Sequence, residues 1–339
     1  MKKYHIVIFL SLATSFCLAQ NKEPFTTKKF TGVNIQNVKV NTSGGGIKVT
    51  GTSGKDAEVK VFVIPNNWNK TASKSEIEEE MKNYILEMEY KDGSIICVAK
   101  PKNPEMKRHK LSIGFEVYSP SKVDVNLATA GGGITLDNLE GDLYFQTSGG
   151  GITVSKLIGK VNGKTSGGGI KMTDSDGFIT MKTSGGGISA KNSKGNIDLS
   201  TSGGGIELSQ LKGSIKAHTS GGGIDSEDIK GSLDVSTSGG SIGLSKISGD
   251  VIARTSGGGI DANIVKLGKI LRLSTSAGNI HANIPFSEGM DLDIKGNRIK
   301  SDKLSKVSSN LSSGRVKGRV NGGGTEVTMT ASSGTIFVE

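Results

Sequence analysis

The stretch Thr147-Ser148-Gly149-Gly150-Gly151-Ile152 decides the fold of this chain, because the motif returns at a fixed interval of 18 residues. An outlying copy begins at Thr42, and a frayed copy at Thr275 follows after a step of 20 residues. A strict period of this size is typical of repeat architectures, whereas a flexible low-complexity chain would not keep the register. With single substitutions in two copies, the motif begins at eight regularly spaced threonines: Thr129, Thr147, Thr165, Thr183, Thr201, Thr219, Thr237 and Thr255.

The positions of the repeat, counted from its threonine as position 1, predict which side chains face the core. Position 6 is isoleucine in all eight copies, from Ile134 to Ile260. Positions 6 and 8, and again 15 and 17, alternate apolar with polar residues, which is the period of a strand. At positions 8 and 17 a large residue commonly accompanies a small one, as in Leu208 with Ala217. We therefore expect two short strands per repeat, facing each other across a thin core.

Glycine accounts for 50 of the 339 residues, about twice the usual share. Position 4 is glycine in every copy, including Gly45 and Gly278, whereas position 5 also accepts Ser241 and Asn279. If successive copies stack, each residue lies above the equivalent residue of the preceding copy. A residue at a corner then needs positive φ and room for the backbone of the neighbouring copy. We expect the requirement for glycine to be stricter at position 4 than at position 5. The predicted fold is all-β: a right-handed parallel β-solenoid of 18-residue coils, plus a small helix and hairpin insertion.

The N-terminus predicts an exported protein. Two lysines precede a short apolar run, and small residues lead to a cleavage site after Ala19. The apolar run is too short to span a membrane. Lipidation at Cys17 stays open. Once the signal is removed, Cys97 is the only cysteine, so no intramolecular disulfide can form. We expect Cys97 to be a small buried hydrophobe.

The chain outside the regular repeat divides into recognisable parts. Ser73 or Ser75 is predicted to cap a helix, and Lys91-Asp92-Gly93-Ser94 to form the turn of a following hairpin. The apolar positions of that helix are Ile77, Met81, Tyr84, Ile85 and Met88. The predicted parts are a signal peptide (1–19), first solenoid coils (20–62), the helix and hairpin insertion (63–127), the regular solenoid (128–274) and degenerate terminal coils with a basic segment (275–339).

Positive charge is concentrated near the C-terminus. The formal balance is +10, and residues 295–319 carry +7 because Asp302 is their only acid. This segment is a candidate contact for an anionic partner such as an envelope polymer or lipid head groups. A solvated loop is the alternative. No aromatic residue lies among the cations, so a nucleic-acid partner is not expected. The eight cations are Lys295, Arg298, Lys300, Lys303, Lys306, Arg315, Lys317 and Arg319.

The sequence predicts no catalytic residue, cofactor or metal site. The best pair for catalysis is Glu207 and Asp225, one repeat apart in the same column. Two carboxylates about 5 Å apart would suit retaining glycoside hydrolysis. Two exposed acids on a long polar surface are the alternative. Aspartate occupies position 7 only at Asp225 and Asp261, so calcium binding is unsupported but open.

The repeated motif and the glycines at position 13, from Gly141 to Gly249, resemble a large family of exported bacterial proteins with glycine-rich β-strand repeats. The ending, Asn321–Val327 and Ser333–Ile336, resembles the final coils of that family, and the resemblance covers nearly all of residues 30–339. Members are regarded as candidate adhesins of unknown function. The resemblance implies this fold and an adhesin-like role, and it supplies no catalytic residues.

The expected function is that of an exported, non-enzymatic adhesin-like or scaffolding surface in the bacterial cell envelope. The alternative is a carbohydrate-active β-helix enzyme or an envelope-polymer-binding protein. Expected partners are an envelope or extracellular polymer, or another surface protein, with no membrane-spanning segment. The expected location is the periplasm, the outer-membrane surface or the medium, and oligomeric state is open.

Overall fold

The structure, a computed structural model, describes residues 23–66, 73–103, 110–304 and 314–339. Strand accounts for 69% and helix for 3% of the described residues, so the fold is all-β, as predicted. The predicted signal peptide at 1–19, Cys17 and Lys306 lie outside the described residues.

The described residues form 22 strands and one helix. In chain order they are β1 (Thr26–Phe30), β2 (Asn37–Thr42), β3 (Ile47–Thr52), β4 (Ala57–Pro65), α1 (Lys74–Met81), β5 (Tyr84–Lys91), β6 (Ser94–Pro101), β7 (Leu111–Pro120), β8 (Asp124–Thr129), β9 (Ile134–Thr147), β10 (Ile152–Thr165), β11 (Ile170–Thr173), β12 (Asp176–Lys182), β13 (Ile188–Lys191), β14 (Lys194–Thr201), β15 (Ile206–Thr219), β16 (Ile224–Thr237), β17 (Ile242–Thr255), β18 (Ile260–Thr275), β19 (Ile280–Asn283), β20 (Met290–Lys300), β21 (Arg315–Val320) and β22 (Thr325–Val338).

The repeats stack in parallel, each residue pairing with the residue 18 positions further along. The pairing of β9 with β10 runs from Ile134 and Ile152 to Thr147 and Thr165. The same shift holds for β15 with β16 and for β16 with β17. The last repeat carries two extra residues, and β18 shows register shifts against β17. Each repeat is therefore one unit of a stack, with an expected rise of about 4.8 Å.

One continuous hydrophobic core runs through the stack. Positions 6, 8, 15 and 17 point inward as predicted; Ile206, Leu208, Ile215 and Ala217 are each at most 2% exposed. A further inward column at position 11 was not predicted from the sequence. It holds Leu139, Leu157, Ser175, Ser193, Leu211, Ile229 and Ile247.

Two units have serine at position 11, where the side chain forms hydrogen bonds in place of the apolar packing of leucine or isoleucine in the other units. The Ser175 N–H donates to Ser193 Oγ at 3.1 Å, and Ser175 Oγ donates to the Thr173 carbonyl at 2.9 Å. In the two units that carry serine there, the long strand is split into β11 with β12 and β13 with β14. A buried hydroxyl is tolerated because it is satisfied by nearby backbone groups.

Each long strand bends between positions 10 and 13. Position 10 lies in the left-handed region, with φ between 49° and 57° from Asn138 to Lys246. The glycine at position 13 has φ between 113° and 152° from Gly141 to Gly249, a region that side chains rarely tolerate. The left-handed residue shifts the inward parity from even to odd positions, which explains why position 11 is buried.

The Thr-Ser-Gly-Gly-Gly corner is held by bonds between neighbouring units. Thr165 Oγ1 donates to the Gly150 carbonyl at 2.7 Å and accepts from the Gly168 N–H at 3.3 Å. A Cβ on Gly168 would lie 2.2 Å from the Gly150 oxygen, closer than real contacts allow. The expectation of positive φ at position 4 was wrong, because close stacking requires the glycine there and the positive φ belongs to position 13.

Position 5 of the corner is less crowded, as expected from its sequence variation. A Cβ on Gly205 would lie 3.2 Å from the Gly223 oxygen. A side chain needs only a small adjustment at that distance, and Ser241 and Asn279 occupy the same position in other units. The stricter demand for glycine at position 4 is therefore confirmed.

The N-terminal end of the stack departs from chain order. Strand β2 lies between β6 and β8, and β3 lies between β7 and β9. Antiparallel strands continue the sheet outward: β5 pairs with β6, β4 with β7, and β1 with β4. Strands from the predicted helix and hairpin insertion are thus continuous with the stack.

Helix α1 begins as predicted and ends earlier. Ser73 forms a capping box with Glu76, and the hairpin turn at residues 91–94 joins β5 to β6. The predicted helical stripe ran on to Met88, but Tyr84–Lys91 is strand β5. Pairing with β6 satisfies the backbone of this segment, and tertiary pairing of this kind overrides local helical spacing.

The C-terminal end is also out of order. Strand β22 pairs in parallel with β18 and β19 on one side and with β20 on the other. Strand β21 pairs antiparallel with β20. A Cβ on Gly334 would lie 1.9 Å from the Gly278 oxygen, so Ser332–Gly334 forms a last corner of the stack. Residues 321–324 are instead the turn between β21 and β22, with φ from 45° to 150°.

Candidate functional site

The predicted basic residues lie on an antiparallel pair of strands, which we call the basic hairpin (β20, β21 and the turn after β20). Its register opposes Asp291 to Arg319, Asp293 to Lys317, and Lys295 to Arg315. The structure places Lys295, Arg298 and Lys300 on β20, Lys303 in the following turn, and Arg315, Lys317 and Arg319 on β21.

Two acids from the start of β20 neutralise part of this charge. Arg315 binds Asp293 through two hydrogen bonds of 3.1 and 2.8 Å. Asp291 accepts from the Gly324 N–H at 3.1 Å and from Arg319 at 3.0 Å. These donors hold the pKa of both carboxyl groups below the ordinary value, and Asp293 raises the pKa of Arg315. Residues 291–319 carry +5, less than the +7 of residues 295–319 alone.

Two other cations of the basic hairpin lie over aromatic rings. Lys300 Nζ is 5.3 Å from the centre of the Phe337 ring, and Lys303 Nζ is 5.3 Å from that of Phe286. Three cations, namely Lys295, Arg298 and Lys317, form no ion pair within the described part of the chain. These three are the most available for an outside anion.

A groove of about 490 Å³ runs along positions 5 to 7 of several units. Glu207 and Asp225 lie side by side in it, in direct register and exposed. Acids continue beyond Gly243 to Asp261. Within residues 23–66, 73–103, 110–304 and 314–339, no group of three or more His, Cys, Asp or Glu side chains is arranged to hold a metal ion.

Cys97 has the environment predicted for a buried hydrophobe. It is fully buried on β6, and burial raises the pKa of its thiol to about 12. The thiolate is the reactive form of cysteine, and this thiol stays protonated at neutral pH.

A cluster of exposed apolar side chains lies on the outer face of the long strands. Tyr144, Ile158 and Phe178 are 44%, 50% and 66% exposed, and they belong to three consecutive units. Their columns, positions 16, 12 and 14, hold mainly polar residues elsewhere. These three residues were not predicted from the sequence, although each is an apolar residue at an outward position of the repeat.

No protein-family model matches the chain, and no curated protein matches it. Among solved structures it aligns with a "putative cell adhesion protein" from Clostridium sporogenes, at 10% identity over 93% of this chain and 99% of that one, with a TM-score of 0.22. It also aligns with a "putative lipid binding protein" from Parabacteroides distasonis (12%, 94% and 98%, TM-score 0.29) and a "putative adhesin" from Bacteroides fragilis (10%, 93% and 96%, TM-score 0.22).

These likenesses are too distant to assign a function, since all three TM-scores are below 0.3. In the described ranges, no helix is long and apolar enough to cross a membrane.

Proposed function

We propose that this protein is an exported, non-enzymatic β-solenoid that serves as an adhesin-like or scaffolding surface in the bacterial cell envelope. In this proposal the stacked units are coils of a right-handed parallel solenoid. The observation that supports it is the 18-residue register from β9 to β17, which aligns the outward side chains of successive coils in columns.

Aligned columns favour many weak contacts over one deep pocket. Outward residues at the same position of neighbouring coils lie about 4.8 Å apart, the spacing of paired strands. A polymer lying along the stack would meet a similar backbone geometry at each coil, and linked weak contacts add to a high overall affinity. The strands are already ordered by their ladders, so little ordering entropy opposes binding.

The basic hairpin offers a second contact at one end of the stack. Lys295, Arg298 and Lys317 are exposed and lack ion pairs among the described residues. An anionic envelope polymer would gain electrostatic attraction there, weakened by salt. Replacing these three cations by glutamine should reduce binding at low ionic strength. The control replaces Lys156, Lys191 and Lys212, which are also exposed and form no ion pair among the described residues.

The experiment is a binding assay of the mature chain, residues 20–339, against envelope polysaccharide, matrix proteins and whole cells. Fractionation and surface protease digestion of the producing cells would locate the protein. We expect export and saturable binding to at least one surface. A cytoplasmic location, or no binding to any of these surfaces, would overturn the proposal.

A carbohydrate-active enzyme is the second candidate, favoured by the pairing of Glu207 with Asp225 in the groove. It predicts that the mature chain cleaves a glycan and that Glu207→Gln abolishes cleavage. Ser189→Ala, in the same column, is the matched control. Absence of turnover on a broad glycan panel would remove this candidate.

A further inference from the structure

The stack has an open edge at each end, because its outermost strands pair on one side only within the described part of the chain. At the N-terminal end these are β1, beside β4, and β5, beside β6. At the C-terminal end they are β21, beside β20, and residues 298–300 of β20, beside β22. The unpaired N–H and C=O groups of an edge strand can pair with a strand of another chain.

The edge strands of the two ends run in matching directions. Strands β5 and β21 each lie antiparallel to their neighbour, and the strands between those neighbours are all parallel, so β5 and β21 point the same way. For the same reason, β1 and residues 298–300 point the same way. A second copy displaced along the stack without rotation would therefore meet the first with parallel strands at both edges.

The backbone of β21 presents hydrogen-bonding groups to the open side. The Gly296 N–H donates to the Gly314 carbonyl at 2.9 Å, so these two residues form a hydrogen-bonded pair between β20 and β21. Such pairs alternate in an antiparallel ladder, and the backbone groups of Lys317 and Arg319 therefore point away from β20. The side chains of both residues are exposed, whereas Val316 faces the core.

The backbone of β5 also presents groups to the open side. The Lys102 N–H donates to the Asn83 carbonyl at 2.9 Å, and the same alternation then points the backbone groups of Leu86 and Met88 away from β6. The Met88 carbonyl accepts instead from Lys28 Nζ, as expected for a carbonyl on the open side. The side chains of Leu86 and Met88 are only half buried in a single copy.

The two edges fit each other in their hydrogen bonding. The pairings from strand to strand place Lys317 and Glu89 in one column of the stack. In a parallel pair, a residue whose backbone groups point across lies opposite a residue whose groups point away, and it bonds to the two residues beside that one. Lys317 would accordingly bond to Met88 and Tyr90 of a second copy. Val316 would then cover the half-buried Met88.

The side chains at the facing positions carry opposite charges. Glu87 and Glu89 are exposed and form no ion pair among the described residues, and their partners on β6 are Val98 and Ile96. Lys317 is likewise exposed and without an ion pair in the described ranges. Placing Lys317 beside Glu89 would give both charges a partner that a single copy does not supply.

The other two charged contacts at this edge are of opposite effect. Arg315 lies in the column of Glu87, which adds an attraction, and Arg319 lies in the column of Lys91, which adds a repulsion. The acids of β20 already bind both arginines and weaken both effects. The contact between Lys317 and Glu89 therefore decides the electrostatic balance of the edge.

We propose that this protein assembles head to tail, with β21 of one copy paired in parallel with β5 of a second copy. The inference goes beyond the proposed function, because it identifies a second copy of this chain as a partner. Backbone pairing supplies affinity, and the contact between Lys317 and Glu89 fixes the register. A head-to-tail contact leaves an open edge at each end of the pair, so further copies can be added in a row.

Contacts between like ends are disfavoured by the same side chains. Two N-terminal edges would bring the glutamates of β5 together, and two C-terminal edges would bring the cations of β21 together. Like charges on neighbouring strands are destabilising. The charges that would otherwise protect an edge from association thus select one partner edge, which is the opposite end of another copy.

The test is analytical ultracentrifugation and electron microscopy of the mature chain, residues 20–339, over a range of concentrations at low ionic strength. We expect unbranched rows that lengthen with concentration and dissociate as salt is added. Lys317→Glu and Glu89→Lys should each weaken the association by about tenfold or more, because each variant opposes like charges. An equimolar mixture of the two variants should assemble again, since each contact between unlike copies restores a pair of opposite charges.

The controls are Lys212→Glu and Glu207→Lys, which make the same charge changes on β15 in the middle of the stack and should leave the association unchanged. Circular dichroism would verify that each variant is folded. A chain that stays monomeric at every concentration overturns the inference, as does a dimer that does not grow. Edge variants that assemble like the parent, or a mixture that fails to recover, also overturn it. The proposed surface function survives all four results, because a single copy carries the surfaces that it requires.

Discussion

The middle of the stack and its two ends are built by different rules. From β9 to β18, repeat units that follow one another in the chain are neighbours in the stack, and their strands pair in parallel. At the ends, β2 and β22 lie between strands distant in sequence, and antiparallel strands β5 and β21 cover the outer units.

This difference reflects what each part must do. A middle unit has a like neighbour on both sides, so the middle units are interchangeable. An uncovered terminal unit would expose a row of unpaired N–H and C=O groups, which favour association with other chains. The two ends of a stack therefore need structures of their own, and the sequences of these terminal units do not follow the repeat.

The largest effect is expected from deleting the terminal strand β22, compared with deleting one repeat from the middle of the stack. Deleting residues 325–339 removes β22 and leaves β18, β19 and β20 without their shared partner. We expect loss of soluble, cooperatively folded protein. Deleting residues 201–218 removes one repeat and joins equivalent positions, and we expect a folded, slightly less stable chain. Thermal melting and size-exclusion chromatography would compare them, and the reverse ranking would contradict the distinction.

A smaller loss of stability is expected when a side chain is added at the corner of one middle unit. In Gly204→Ala, the new Cβ would lie 2.4 Å from the Gly186 oxygen, and we expect a loss of about 3 kcal/mol or more in the free energy of unfolding. Gly205→Ser is the control and should cost less than about 1 kcal/mol, since position 5 accepts serine at Ser241. Denaturant unfolding measures both, and equal losses would show that stacking does not determine position 4.

The threonine of the corner should contribute less than its glycine. Thr165→Val keeps the shape but removes the bond to the Gly150 carbonyl, and we expect a loss of about 1–2 kcal/mol. Ser166→Ala changes an exposed neighbour and should stay within about 0.5 kcal/mol of the parent. Denaturant unfolding measures both variants. If Thr165→Val leaves the free energy of unfolding unchanged, the hydrogen bond to the Gly150 carbonyl does not stabilise the fold.

The smallest effect concerns the C-terminal end and depends on pH. Hydrogen bonds from Gly324 and Arg319 lower the pKa of Asp291, and those from Arg315 lower the pKa of Asp293, relative to the ordinary value of an aspartate. Their contribution is therefore complete at neutral pH and is lost as pH falls through the lowered folded values. Asp291→Asn with Asp293→Asn should lower Tm slightly at pH 7, and the difference from the parent should shrink steadily as the pH is lowered into the acid range, with Asp198→Asn in the middle as control. A pH-independent difference would exclude these ion pairs as its source.

The middle of the molecule could be predicted because its order is local. A period of 18 with alternating apolar residues indicates the strands, their inward faces and the crowded corner. The burial of position 11 was not predicted, because the left-handed residues at position 10, such as Gln210, reverse the alternation of inward and outward side chains within one strand. No composition rule signals this reversal, since Lys246 and Asp228 adopt the same conformation.

The ends and much of the site could not be predicted because they depend on distant pairing. The pairs of β2 with β6 and of β18 with β22 join segments that share no period. The charge count of the basic hairpin changed because Asp291 and Asp293, which lie before the basic segment, pair with cations across two strands. Tyr144 and Phe178 stood out only once the outward columns were known.

The order of strands at the two ends also sets the sequence of events during synthesis. A chain made from its N-terminus cannot pair strand β2 when Asn37 appears, because the neighbours Ser94 and Asp124 come later. The regular units can then join the stack one at a time as they are made. The edges of β18, β19 and β20 stay unpaired until β22 is made, so a chain that stops before β22 keeps an open edge.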